Sequence, residues 1–315
     1  MPEVELTRKL IATLEPGVWR SGVELAEQFG VTRTSVWKAV QSAKRHGYPV
    51  EASIQGYRLE SDAPIGIAGI SYFGSLGSTM DEAKRLARAG AAEFATVLSE
   101  RQTAGRGRRG RVWQSPTGTG LYLTVVLRPA VPLGSLSLLP LLAGACLQRS
   151  IRAETGLEGI LKWSNDLLAR DGRKLAGVLL EAEIEDGAAR FVLMGMGVNV
   201  RQQDFPVELK AAALEDFVER VHRRRLLERI LEEFKTQYTR FLEMPETALA
   251  LWRGINGTLG RAVRVLEPDG KSWDGTALEV TPEGGLQVQT QHGIKTVFAG
   301  DVSLRHLSEM AEEHL

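Results

Sequence analysis

Residues 101–113 read RQTAGRGRRGRVW: Arg106, Arg108, Arg109 and Arg111 alternate with Gly105, Gly107 and Gly110, and Trp113 closes the run. The fold turns on what this stretch is. Its glycines satisfy G-x-G-x-x-G, a dinucleotide fingerprint that needs a strand before it, a helix after it and an acidic residue about 20 positions on. A strand precedes it near 94–99, but Pro116, Gly118, Gly120 and the strand-forming run LYLTVVL (121–127) follow. No helix opens at the loop, so the dinucleotide reading fails on context. With Val112 the match extends to the kinase glycine loop, yet the other kinase signatures are absent from the chain. A disordered arginine-glycine RNA tail does not fit one short loop between two strands. There remains a strand–loop–strand clamp for a small, multiply charged ligand. Glycine lets the backbone approach, and guanidinium forks pair bidentately with phosphate or carboxylate.

Two further segments point to the same ligand. LKWSNDLLARDGRKLAGVLLEAEIE (161–185) reads as a short strand, an Asn-Asp turn, a hairpin containing glycine, and a β-rich run led by Lys174. Lys174 stands where a strand begins, beside the small pair Ala176-Gly177, which suits an ammonium aimed into a pocket. Asp166 is open to two readings, a holder of metal or ribose hydroxyl and a local Asx turn. FVLMGMGVNV (191–200) is a strand with Gly195 and Gly197 on one face, leaving room for a flat group against the sheet.

The 315-residue length predicts two or three domains. Lys plus Arg balance Asp plus Glu at 39 each, so any nucleic-acid face is a local patch on a neutral molecule. The single cysteine, Cys146, excludes an internal disulfide, suits a reducing cytosol, and sits on an apolar helix as a core residue. The start MPEVELTRKL lacks a signal-peptide core, and the apolar run 133–147 is too short to span a bilayer. A cytoplasmic protein is expected. The five histidines are scattered, which argues against zinc.

The first sixty residues carry a different chemistry. Leu6, Leu10, Ile11 and Leu14 have helical spacing before Pro16-Gly17. In SGVELAEQFGVTRTSVWKAVQSAKRHG (21–47), Ser21 and Glu24 have capping-box spacing, Val23, Leu25 and Ala26 are the apolar residues, and Gly30 makes the turn. Thr32 caps a second helix whose inward residues are Val36, Val40 and Ala43. Its outer face offers Arg33, Thr34, Ser35, Lys38, Gln41 and Lys44, the donors that reach phosphates and base edges. This is a helix-turn-helix pattern, and residues 48–60 read as two short strands, a wing. The DNA-binding residues expected are Thr32, Arg33, Thr34, Ser35 and Lys38; a protein-contact module is the alternative. Residues 61–69, around Pro64, read as a linker.

Together, GRGRRGRVW (105–113), KWSND (162–166), RKLAGVLLE (173–181), GMGVNV (195–200) and GSTMDEAKRLA (77–87) resemble the biotin–protein ligases, specifically the two-function members that also repress the biotin operon. The resemblance implies an α+β chain: a winged helix-turn-helix (1–63), a catalytic domain related to class II aminoacyl-tRNA synthetases (66–257), and an SH3-like β-barrel (258–308). Strands are expected near 67–73, 94–99, 120–128, 160–163, 174–184 and 189–199, with helices near 80–90 and 134–155. It further implies that biotin carboxylate attacks the α-phosphate of MgATP, and that a lysine of a biotin carboxyl carrier protein then attacks the mixed anhydride. Ser78, Thr79, Met80 and Gln102 would meet the biotin head group. Arg106, Gly107 and Arg108 would cover biotin and the adenylate phosphate. Lys174 would contact the carboxylate and α-phosphate oxygens, making it and Arg108 the catalytic pair. Arg111, Trp113, Asn165, Asp166 and Arg305 would serve the nucleotide. Gly197 would line the biotin floor, and Asn199 would lie between that floor and the nucleotide. No residue is assigned as a metal ligand, and none in the adenine-covering segment 200–217.

Two positions depart from the family's pattern. Met80 stands where asparagine is frequent, and Ser164 replaces the proline of Lys-Trp-Pro-Asn-Asp, freeing the backbone that proline would fix. Operator DNA and, when adenylate is bound, a second copy of the chain complete the implied partners. Competing readings are a biotin-sensing transcription factor without ligase activity and a lipoate ligase-like acyl-adenylating enzyme.

Overall fold

The computed structural model describes residues 3–267, 270–298 and 301–304. In chain order its main elements are α1 (Glu3–Thr13), α2 (Gly22–Phe29), α3 (Arg33–Arg45), β1 (Val50–Ser53), β2 (Gly56–Leu59), β3 (Ile70–Phe73), α4 (Thr79–Arg88), β4 (Thr96–Ser99) and β5 (Gly120–Leu127). There follow α5 (Leu139–Thr155), β6 (Ile160–Lys162), β7 (Asp166–Leu168), β8 (Lys174–Glu185), β9 (Ala188–Asn199), α6 (Arg223–Glu243) and α7 (Thr247–Arg253). The last five strands are β10 (Ala262–Leu266), β11 (Ser272–Val280), β12 (Leu286–Thr290), β13 (Gly293–Val297) and β14 (Asp301–Leu304). The chain forms two compact units. One comprises Met1–Leu127, Gly195–Asp204 and Ala213–Arg229; the other comprises Arg128–Met194, Phe205–Ala212 and Ile230–Leu315.

In the first unit, α1, α2 and α3 close on one apolar core of Leu6, Leu10, Leu14, Leu25, Val36, Val40 and Ala43. Local chemistry sets the boundaries. Ser21 and Glu24 form the reciprocal capping box at α2, and Gly30 ends it at φ 63°, a left-handed turn that costs glycine nothing. Thr32 caps α3 by accepting from the Ser35 amide. Of the apolar residues of α2, Leu25 and Ala26 are buried and Val23 is exposed. β1 and β2 pair antiparallel from Val50↔Leu59 to Ser53↔Gly56, the expected wing. β3 and β4 run parallel, β4 and β5 antiparallel, and β5 is buried along its whole length.

In the second unit, β6 pairs antiparallel with β7 and β7 with β8. The turn in KWSND falls at 163–165, so Asp166 opens β7 and does not belong to an Asn-Asp turn. The Trp163–Ser164 peptide is cis. α5 buries most of its length, Cys146 included, and burial pushes that thiol up. The C-terminal strands form an antiparallel sheet in the order β13-β12-β11-β10-β14, with Val263, Val265, Ala277, Val280, Leu286 and Val288 buried. Trp163, itself buried, ties this sheet to β6: its indole N–H donates to the Gly284 carbonyl at 3.1 Å, and its amide to Thr258 Oγ1 at 2.8 Å. β9 contributes residues 195–199 to the first unit and 188–194 to the second.

Candidate functional site

The first unit gathers Ser78, Thr79 and Gln102 at the start of α4. Ser78 caps the helix by accepting from the Met80 amide. Thr79 is held in a buried relay: Thr124 Oγ1 donates to Thr79 Oγ1 at 2.9 Å, and Thr79 Oγ1 and amide donate to Gln102 Oε1 at 3.1 and 2.9 Å. Gln102 Nε2 in turn donates to Ser115 Oγ at 2.9 Å. Both ends of the Gln102 amide are therefore fixed by the protein: its oxygen accepts two bonds, and its second N–H is oriented without further ordering cost.

The arginine-glycine stretch forms a short hairpin. The Gly107 amide donates to the Arg111 carbonyl at 2.7 Å, and the Trp113 amide to the Gly105 carbonyl at 2.9 Å. Its tip is a single 3-10 turn, Arg108–Gly110, followed by strand β5 and not by a helix. Arg106 reaches Asp81 on α4, Nη2 to Oδ1 at 2.8 Å. Gly197 on β9 makes room for this loop: a Cβ there would stand 2.5 Å from the Trp113 indole. Asn199, two residues on, is buried.

The second unit holds a cation–carboxylate–cation set. Asp166 Oδ1 lies 2.7 Å from Lys174 Nζ, and Oδ2 lies 2.9 Å from Lys162 Nζ. Burial raises the Asp166 carboxyl's pKa, but Lys174 and then Lys162 outweigh it and hold it at about 2. Asp166 stays ionised and fixes two ammonium groups. Asn165 braces the turn, donating from Nδ2 to the Val178 carbonyl at 2.8 Å while the Val178 amide donates back to the Asn165 carbonyl. The backbone of Lys174 is pinned on both sides by residues 210–212: the Lys174 amide donates to the Lys210 carbonyl at 2.7 Å, and the Ala212 amide to the Lys174 carbonyl at 2.9 Å. With both its oxygens on lysines, Asp166 is not set up as a resident metal ligand. Among the described residues no group of three or more His, Cys, Asp or Glu could hold a metal ion.

On the helix-turn-helix, Arg33, Thr34 and Lys38 are exposed as expected. Thr32 and Ser35 are engaged with each other, their hydroxyls 3.0 Å apart. Trp37, half exposed on the same helix, was not legible as part of that face from polarity alone. Asp81, Arg201 and Arg223 were likewise missed, because their partners lie far off in sequence, whereas Lys162 meets Asp166 only four residues on, within KWSND itself. Arg305 lies outside the described residues.

Residues 75–199 match the Biotin/lipoate A/B protein ligase family, 8–58 an HTH domain, and 258–305 the Biotin protein ligase C terminal domain. The chain is 34% identical to the bifunctional ligase/repressor BirA of Bacillus subtilis, over 90% of this chain and 93% of that one. It is 30% identical to BirA of Escherichia coli, over 94% and 96%. The biotin protein ligase of Aquifex aeolicus, solved in complex with biotin and ATP, superposes with a TM-score of 0.65 at 27% identity, covering 76% of this chain and all of that one. The three matched segments make this a protein ligase carrying a DNA-binding head. The chain belongs to the family of bifunctional biotin ligase/repressors.

Proposed function

We propose that this chain joins biotin to a lysine of a biotin carboxyl carrier protein at the expense of ATP, and represses transcription when loaded with the intermediate. The observation that carries the reading is a biotin/lipoate ligase family segment downstream of a helix-turn-helix, in a chain 34% identical over 90% of its length to a bifunctional ligase/repressor. In the first step biotin carboxylate attacks the α-phosphate and pyrophosphate leaves. Lys174, held by Asp166, stabilises the charge that builds on the carboxylate and α-phosphate oxygens. Arg108, with Arg106 and Gly107, covers the adenylate and keeps water from it. Ser78, Thr79, Met80 and Gln102 hold the biotin head, with Gly197 behind it. Arg111, Trp113, Asn165, Asp166, Asn199 and Arg305 serve the nucleotide. In the second step the acceptor amine attacks the mixed anhydride and AMP leaves.

Magnesium enters as MgATP, consistent with the preference of this ion for phosphate and water over protein cages. The catalytic domain, 66–257, is of class II synthetase type, and 258–308 is an SH3-like barrel behind the 1–63 winged helix. The protein works in the cytoplasm and dimerises on loading, since two-fold operators require two reading heads. Incubation with ATP, biotin and a carrier domain, followed by intact-mass measurement, tests the ligase half. One biotinoyl group per carrier is expected. An unmodified carrier leaves a sensor without ligase activity, and a lipoyl adduct in a parallel incubation with lipoate assigns the other acid.

A further inference from the structure

The first unit buries a cluster of charge that the reaction does not use. Arg223, at the start of α6, is fully buried. Its Nη1 donates to Glu100 Oε2 at 2.7 Å, Nη2 lies 3.7 Å from Glu60, and Nε lies 3.6 Å from Asp62. Among the described residues, neither Nε nor Nη2 has a hydrogen bond shorter than those ion-pair distances. Arg201 Nη2 bridges the same two carboxylates, at 3.0 Å from Glu60 and 2.8 Å from Asp62. The Tyr72 hydroxyl donates to Glu100 Oε1 at 2.7 Å. A buried guanidinium holds its place only while its carboxylates do, so these groups move together or not at all.

Their places in the chain are unlike one another. Glu60 and Asp62 lie just past β2, on the segment leaving the wing. Glu100 lies at the end of β4, two residues before Gln102. Arg201 follows Asn199 and Val200 at the end of β9, where the Val200 and Arg201 amides both donate to the Thr119 carbonyl, at 3.0 and 2.8 Å. A second contact joins the same parts: a Cβ on Gly74 would stand 2.2 Å from the His46 carbonyl, so the end of α3 rests directly on the loop that leads to Ser78.

We infer that Arg201 and Arg223 are positioning residues that fix, through one buried ion cluster, both the strand ends bearing Gln102 and Asn199 and the segment carrying the winged helix. Ligand that stiffens the ends of β4 and β9 then also stiffens residues 60–65, and the coupling is reciprocal. This rests on the ligase/repressor reading.

The test compares full-length parent, Arg201→Met and Arg201→Lys. Biotin KM and kcat are measured at saturating MgATP, with amide hydrogen exchange at 60–65 and at 100–115 with and without biotin plus MgATP. In the parent, ligand should slow exchange in both segments. In Arg201→Met, biotin KM should rise about fivefold or more with kcat unchanged, as expected of a coupling of ordinary size. Ligand should still protect 100–115 and no longer protect 60–65; Arg201→Lys should restore part of both effects. If Arg201→Met does not fold, Glu60→Gln, on the half-exposed side of the cluster, should give the same changes in smaller degree. A folded Arg201→Met (or Glu60→Gln in its place) with KM within about twofold of the parent and 60–65 still protected overturns the inference. Failure of the parent to bind biotin overturns the ligase reading itself, and the coupling with it.

Discussion

Lys174 does not reach its place alone. Asp166 takes one lysine on each oxygen, so its charge is the fixed point and the two ammonium groups are positioned by it. Its carboxyl, held at about 2 from an ordinary 3.8, is bound less tightly by protons in the folded chain than in the unfolded one. The stability this lends, about 2 kcal/mol, is complete above pH 4 and is lost as pH falls from 4 toward 2. Asp166→Asn should remove that acid-side slope from thermal melts recorded between pH 2 and 6. It should also slow adenylate formation, followed by pyrophosphate release, by up to about a hundredfold, because Lys174 would lose its anchor. A slope undiminished from the parent's would show that Asp166 does not contribute to it; a residual slope belongs to carboxyls such as Asp62, which burial raises but Arg223 and Arg201 hold low. The sequence marks Lys174 by its place at a strand start, whereas the lysine pair around Asp166 depends on β6, β7 and β8 lying side by side. No spacing rule reports such a set.

Local chemistry wrote the smaller elements plainly. The capping box at Ser21, the turn at Gly30, the Thr32 cap and the wing all stand where residue type puts them. Absence of a helix after Gly110 was equally readable, because Pro116, Gly118 and Gly120 cannot open one. Helix α6 is a different case. Leu226, Leu227, Ile230, Phe234, Tyr238 and Phe241 are buried at helical spacing, but no family motif or cap draws attention to them. The loop hairpin depends on a contact that pattern alone cannot supply, Trp113 against Gly197. Gly197→Val should unseat that indole. Exchange at 105–113 should then quicken and the adenylate dissociate faster, read by chasing preformed labelled adenylate with unlabelled biotin. Overpacking of this kind costs about 1–3 kcal/mol. A loop as protected as in the parent would show that Trp113 is not what holds it.

Across the whole chain, the three matched segments follow one another at 8–58, 75–199 and 258–305. The grouping into compact units follows another division, with the winged helix, β3 to β5, the end of β9 and the start of α6 in one of them. That grouping arises from contacts between distant segments, so sequence order conceals it. If loading drives dimerisation as proposed, sedimentation velocity should show a shift toward dimer with biotin plus MgATP together, and none with either alone. An unchanged coefficient with both present would remove the repressor mechanism while leaving ligation intact. The first unit also has a history during synthesis. Glu100 and Arg223 are 123 residues apart, and a ribosome adding about 5–20 residues per second takes on the order of ten seconds to cover that distance. For most of that interval the nascent winged helix has its apolar core while Glu60 and Asp62 await Arg201, and Glu100 has only the Tyr72 hydroxyl until Arg223 follows. The unit completes only when Arg223 leaves the exit tunnel, so a stalled or shortened chain ending before that point carries a finished reading head on an unfinished catalytic unit.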